Sequence, residues 1–494
     1  ANQSCLYNGL FPANRMELMD PMFNLYNEIK PSLELAAQEQ WSSRGIYIPE
    51  VVGIGGLPKL PSNLINEIQD LYLNKKPWST RSDSFYRYAS TKMSYLSRWN
   101  WKKDEGWKDG VWNFTDKGAG PFGHVTHIFS RGAKIAYQYW QRYEYTRDTA
   151  WLRNYAYPML KGVAEFYRNF PNVKKESDGK YHIYYVNDNE SVWGGHNTVE
   201  EISSMMGIFP AVIRASEILK VDKEMRPVWK EFVDHLSSLP LSTDYPALAK
   251  PGAPVTFVRA LPPVIQGEGF RPPDSNTMPV WFFDLCNLGS GNKELLKIAN
   301  ATYDNYFPEG INKNTPVYVL SKLPVAGAIL GRKDATRYLI PNQIRTAEIA
   351  VMANRMTLRE GYQTTGVQRL GRMTDALHNA LCQSAPSAPG EDPVIRLFPA
   401  WPDDWDAEFK LLCRGDFLVT SSFKDGKVGF VEILSQSGGY CQVYNPWPGE
   451  KTEILRNGRK DGILNGAVLK FKTRKGENIR ISPGKKYKKS NLTD

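Results

Sequence analysis

The side chains best suited to moving a proton are crowded into one stretch, Tyr185 to Met206 (YVNDNESVWGGHNTVEEISSMM). Asn187, Asp188, Asn189 and Glu190 pack side-chain oxygen into four consecutive positions, with Trp193 and His196 close behind. A carboxylate on a rigid loop beside amides, an indole and an imidazole can be tuned into a proton donor. Asn and Asp also serve as ordinary turn-capping residues. Composition alone leaves both readings open.

That loop needs a scaffold, and the flanking sequence supplies one. His182 to Val186 is a short apolar run that reads as strand, and Gly194 and Gly195 let the backbone turn without steric cost. Asn197 and Thr198 then offer capping oxygens, with Glu200 and Glu201 in the first turn of a helix. Ile202, Met206, Phe209, Ile213 and Ser216 recur at helical spacing, so one face of that helix is core.

With 494 residues the chain is long enough for a large core plus a second module. Hydrophobic residues at 41% and charged residues at 23% are the proportions of a globular protein. No apolar run approaches the roughly 18 residues that span a bilayer, and no signal peptide is evident. The chain opens at Ala1 in mid-pattern, which implies a segment upstream. The net charge of +10 is spread along the chain, and its densest piece, Lys485 to Lys489, reads as a solvated tail rather than a nucleic-acid grip. A basic surface of this kind permits an acidic polysaccharide as partner. Cys5, Cys286, Cys382, Cys413 and Cys441 lie far apart with no CxxC, and no HExxH occurs, so neither a metal nor another cofactor is expected. Five tryptophans fall between Trp78 and Trp112, and rings of this kind stack on sugar faces or fill gaps between helices. Trp112 and the nearby His124 therefore join the candidate substrate contacts.

Residues 19–41, 62–73, 124–146, 199–219, 222–237, 293–306, 321–332, 342–356 and 366–383 carry helical periodicity, with Pro31 a candidate kink and Asp148 opening a further helix. Helix after helix joined by long polar loops points to a toroid or solenoid, and no fixed repeat length favours the solenoid. The composition changes at SAPSAPGEDP, which reads as a linker. Strand-like runs follow at 417–423, 428–434, 440–444, 467–471 and 478–481, with turn pairs such as Asp425-Gly426 and Asn457-Gly458 between them. The expected organisation is a helical domain at 1–384, a linker at 385–395 and a β-sandwich-like domain at 396–494.

Three stretches resemble glycoside hydrolase family 95 and its (α/α)6-barrel relatives: Trp140 to Phe170, the NDNESVWGG loop, and Leu397 to Val419. The resemblance implies a mainly α fold, an (α/α)6 barrel (toroid) followed by a C-terminal antiparallel β-sandwich-like domain. It also implies an inverting exo-glycosidase, in which an acid protonates the leaving oxygen while a base activates water across a gap of roughly 6.5–9.5 Å. Glu190 matches the family's acid by position, with Asn187, Asn189, Trp193 and His196 lining the site. The family's base is an aspartate, and the aligned residue here is Gln368, whose amide cannot take a proton. Glu360 is the nearest substitute. Of the family's paired asparagines only the second has a counterpart, Asn2.

The expected partner is an oligosaccharide or polysaccharide substrate, not nucleic acid, and the expected location is secreted, periplasmic or attached to the cell surface through a segment outside this chain. A polysaccharide lyase using His124, His127, Tyr137 and Arg131, and a glycan-binding protein without turnover, are the competing readings. Family precedent names L-fucose or L-galactose as the terminal sugar.

Overall fold

Apolar residues at helical spacing set the architecture of the first three-quarters of the chain. The computed structural model describes residues 4–89, 107–108, 111–112, 121–122, 126–189, 192–246, 249, 251–264, 274–318, 321–345 and 367–484. Its longer helices are α1 (Asp20–Trp41), α2 (Ile65–Tyr72), α3 (Ser130–Thr146), α4 (Tyr157–Asn169) and α5 (Val199–Leu219). They continue with α6 (Arg226–Asp234), α7 (Lys293–Asp304), α8 (Leu323–Ile329) and α9 (Val367–Leu381). Pro31 lies inside α1, which nevertheless runs on to Trp41. Asp148 accepts hydrogen bonds from the amides of Ala150 and Trp151 and so starts the helical segment that leads into α4.

Helices α3, α4 and α5 pack on one another, α5 also meets α6, and α8 meets α9. The short helix Ser4–Tyr7 lies against α9, so the first and last helical elements are neighbours. Contrary to the expectation that no apolar run is long enough, α5 could cross a membrane by length and composition, but most of it is buried inside the protein. Its apolar stretch is a core stripe, with Val199, Ile202, Met205, Phe209 and Val212 inaccessible to solvent.

The C-terminal part is built from sheets. A small hairpin in the helical part, β1 (Val186–Asp188) and β2 (Val192–Gly195), precedes them. Then come β3 (Cys382–Pro386), β4 (Pro393–Leu397), β5 (Ala407–Cys413), β6 (Phe417–Lys424), β7 (Lys427–Ser435) and β8 (Gly439–Tyr444). Four more follow: β9 (Thr452–Arg456), β10 (Arg459–Leu464), β11 (Val468–Thr473) and β12 (Glu477–Pro483). One sheet has the order β10-β9-β12-β7-β6-β5 and the other β11-β8-β4-β3. Pairing is antiparallel except between β8 and β4, where Val443 sits opposite Ile395 in parallel register. Buried residues alternate along the strands, as in β6 with Phe417, Val419, Ser421 and Phe423 inward.

The stretch 385–395, expected to be a linker, instead closes the hairpin of β3 and β4, with Cys382 opposite Leu397 and Pro386 opposite Pro393. Its prolines and glycine make the turn rather than a tether. The two cores therefore join without a spacer, and backbone bonds cross the junction from Leu412 N to Pro12 O (2.8 Å) and from Gly415 N to Glu144 O (2.7 Å).

Candidate active site

The β1–β2 hairpin is held from below by side chains that local sequence chose for turns. Asn187 is fully buried: its Oδ1 accepts from Gly194 N (3.0 Å) and its Nδ2 donates to Thr126 O (2.5 Å). Gly194 adopts φ +64°, a conformation costly for any residue with a Cβ. Asn197 locks the base of the hairpin, accepting from Ile183 N at 2.9 Å and donating to Ser237 Oγ at 3.2 Å. Glu190, in sequence between the two strands, lies outside the described residues.

Under the hairpin the N-terminal ends of α3 and α5 meet, and their charges pair. Thr198 caps α5 by accepting from Glu201 N (3.4 Å). The adjacent glutamates then take different tasks, because neighbouring side chains on a helix point about 100° apart. Glu201 turns to α3 and accepts from the amides of Phe129 (2.8 Å) and Ser130 (3.0 Å), and from Tyr167 OH (2.6 Å). Burial pushes its carboxyl up to about 7, partly offset by those three bonds.

Glu200 faces the cations. Its Oε2 accepts from Ser130 Oγ (3.0 Å) and Arg131 Nη1 (3.0 Å), and its Oε1 lies 3.6 Å from Lys134 Nζ. Burial alone would raise its pKa, but Lys134 and Arg131 outweigh burial and keep it ionised. Arg131 also pairs with the buried Glu50 and donates to Asn189 Oδ1 at 2.9 Å. The residue just before Glu190 is thus tied to a guanidinium that two carboxylates fix on a rigid helix. Burial lowers Lys134 to about 7, and its ammonium stands 5.1 Å from the Trp281 ring centroid, as does that of Lys322 at 5.2 Å.

Asp188 completes the group. It is fully buried, its Oδ2 accepts from Ser275 Oγ at 2.9 Å, and its Oδ1 has no hydrogen-bond partner among the described residues. Burial, reinforced by the negative charge of Glu200, raises its pKa, while Arg259 and Lys322 pull the other way. One carboxyl with a raised pKa near another held ionised is the paired environment in which acid and base roles separate.

The remaining candidates divide. Trp193 is only 5% exposed and packs with Phe122 and Tyr185, so it supports the hairpin rather than offering a platform. His196 is half-buried against Tyr184 and Tyr185, and burial lowers its pKa. Glu360, Asn2 and His124 lie outside the described residues, as do Trp99 and Trp101. Gln368 stands on α9 and Trp112 in a two-residue ladder with Trp107, but their side chains are not among those described. Of the residues considered for a lyase, His124 lies outside the described residues and the other three are engaged by neighbours. His127 is buried against Tyr72 and pushed down to about 3 by desolvation, Tyr137 donates to Asp284, and Arg131 is ion-paired. Glu50, Lys134, Lys322 and Ser275 were not anticipated. The signal that could have found two of the cations was Arg131 and Lys134, three apart on the otherwise apolar SRGAKIAYQYW helix.

Residues 106–245 match the sequence profile of the glycosyl hydrolase family 95 catalytic domain. This segment is family 95-like. It contains the hairpin, both N-terminal helix ends and every residue of the cluster except Glu50, Arg259, Ser275, Trp281 and Lys322. No curated protein matches the chain. Among solved structures it is similar to a chain named as a kojibiose phosphorylase from the human microbiome, with 13% identity, TM-score 0.42, and coverage of 91% of this chain and 56% of that one. An α-L-rhamnosidase from Dictyoglumus thermophilum follows with 10% identity, TM-score 0.40, and coverage of 81% and 43%. An α-L-rhamnosidase from Streptomyces avermitilis, complexed with L-rhamnose, has 10% identity, TM-score 0.38, and coverage of 77% and 35%. The chain thus spans little more than half the length of the first and less than half of the other two. Among the described residues no group of three or more His, Cys, Asp or Glu is placed to hold a metal ion.

Proposed function

We propose that this chain is a glycoside hydrolase whose helical part, to about residue 384, is an (α/α)6 toroid and whose β domain braces it from the far side. It acts by inversion on a terminal sugar of L-fucose or L-galactose type in a complex glycan, outside the cytoplasm. Glu190 donates a proton to the glycosidic oxygen as the bond to the anomeric carbon breaks. Glu360 takes a proton from the water that attacks that carbon from the opposite face. Asn189 and Arg131 orient the acid's loop, and Asp188 holds a proton behind it.

The observation that carries this reading is the family 95 match over a segment whose buried charges gather under the hairpin that brackets Glu190. Preorganised charge in a water-poor setting is what stabilises the oxocarbenium-like transition state of this reaction.

The test is product analysis on glycans ending in L-fucose or L-galactose, with the anomer followed by NMR. Release of a single inverted monosaccharide is expected, and Glu190→Gln and Glu360→Gln should each lower turnover about a hundredfold. Full activity in Glu360→Gln removes that residue from the base role. Glycan binding without any release would overturn turnover altogether and leave recognition, in keeping with Gln368 standing where the family has its aspartate.

A further inference from the structure

The outer face of the β11-β8-β4-β3 sheet combines exposed rings with cations. Strand alternation sends Cys441 and Val443 of β8, and Leu469 and Phe471 of β11, into the core. The same alternation sends Tyr440, Gln442 and Tyr444 outward, opposite Lys472, Lys470 and Val468 respectively. Tyr440 is 74% exposed and Tyr444 46%, large values for rings on a sheet. From β4, Arg396 reaches the same face and lies 5.7 Å from the Tyr444 ring centroid. No outward position of β8, β11 or β4 holds a carboxylate. Lys470, Lys472 and Arg396 take part in no ion pair among the described residues.

The other sheet makes the contrast. There Arg480 pairs with Glu432 (2.7 Å) and Lys460 with Glu453 (2.7 Å). Lysine on an edge strand such as β11 also discourages strand addition, but that role does not call for two exposed tyrosines beside it. Four residues of strand separate the tyrosines, about 13 Å, with the lysines of β11 alongside. Rings stack on sugar faces, and unpaired cations take carboxylate or sulfate.

We infer that this face binds an anionic polysaccharide, carboxylated or sulfated, laid along β8 with sugar rings on Tyr440 and Tyr444 and its acid groups on Lys470, Lys472 and Arg396. The occupant follows from charge complementarity over a sheet face whose outward strand positions hold no acid. The face ends at a groove of about 800 Å³ toward the helical domain, where Glu217, Asp234, Glu391 and Asp392 stand among the cations and Arg214 of α5 is ion-paired. Those carboxylates confine an anionic chain to the sheet face itself. This inference stands apart from the hydrolase reading, since neither the face nor the groove includes any residue of the candidate active site.

The test is titration calorimetry of the full chain with polygalacturonate, dextran sulfate, neutral dextran and polyphosphate. Binding to polygalacturonate or dextran sulfate at least tenfold tighter than to dextran is expected, weakening as salt rises. Whichever acid polymer binds more tightly identifies the acid group. The double variant Lys470→Glu/Lys472→Glu should lose at least tenfold in affinity, and Tyr440→Ala/Tyr444→Ala severalfold, with melting temperatures unchanged because all four side chains are exposed. Three results would overturn the inference: no binding to either acid polysaccharide, unchanged affinity in the lysine variant, or polyphosphate binding as tightly while the tyrosine variant loses nothing. The last would make the face a plain polyanion surface, open to nucleic acid as much as to sugar.

Discussion

Helix α3 carries a buried ionic network at each end, and the two are wired differently. At its N-terminal end Arg131 and Lys134 face Glu200 and Glu50, with Asp188 and Lys322 nearby. Toward its C-terminal end Glu144 faces Arg414, which also grips Asp284 through two bonds of 2.7 and 3.2 Å. Tyr137 donates to that same aspartate at 2.7 Å. In both networks the helix places its charge against its own dipole: cations near the positive end, an anion near the negative end. Each arrangement therefore depends on partners brought from other elements. At the C-terminal end Arg414 comes from the turn between β5 and β6, so the network ties the two domains together. At the N-terminal end the network sends an arm to Asn189 of the hairpin, and buried atoms without a hydrogen-bond partner among the described residues occur in both, on Asp188 at one end and on Glu144 and Arg414 at the other. A network that joins two domains serves stability. One that reaches the hairpin bracketing Glu190 is placed to act on that loop.

The largest effect expected from this contrast is on stability. Arg414→Leu strips Glu144 and Asp284 of their cation and should cost about 3–5 kcal/mol by urea denaturation, with the two domains melting separately. A cost below 1 kcal/mol would mean that the junction is held by packing alone.

Next comes a pH effect from the same network. Burial pushes Glu144 up to about 7 against the pull of Arg414, whereas unfolded it titrates near 4.3. Between those values the native state keeps a proton that the unfolded state has lost, so stability falls as pH rises and levels off above about 7. Wild type should lose up to about 1.4 kcal/mol per pH unit more than Glu144→Gln across that window. Parallel stability curves for the two proteins would contradict the assignment.

The network beneath the hairpin should show the opposite balance. Asp188→Asn keeps the shape and the contact with Ser275, so stability should shift by less than about 1 kcal/mol, while turnover drops about tenfold or more. If stability falls and turnover per folded molecule does not, the two networks are alike in purpose. The smallest effect is expected at the cap of α5, where Thr198→Ala should lower stability by about 1 kcal/mol, read as a shift in melting temperature.

Much of this was legible in the chain itself, for a local reason. Helix α5 spans Val199–Leu219, as its apolar spacing and the Thr198 cap indicated, because periodicity and capping involve residues within four positions of each other. The strands β6, β7, β8, β11 and β12 fall within a residue or two of the alternating runs, since the pleat fixes that pattern. By contrast, SAPSAPGEDP has the composition of a tether and became a hairpin turn, because the strands on either side of it pair. The weak β9–β10 hairpin, with its mostly exposed outer strand, gave no clear alternation.

By itself, then, the sequence determined the helices and strands, the division into a helical and a β part, the turn chemistry around Asn187 and Gly194, and the resemblance to family 95. Only the tertiary structure decided that Glu200 would be held ionised while its neighbour Glu201 capped another helix, and that Arg131 would reach Asn189 across 58 positions. It also decided that Trp193 would be buried rather than offered to a ligand. Hydrogen bonding to the backbone and side-chain periodicity act over a few residues and are written in local order. The protonation of a carboxyl depends on burial and on charges from other elements, and no local pattern records which elements will meet.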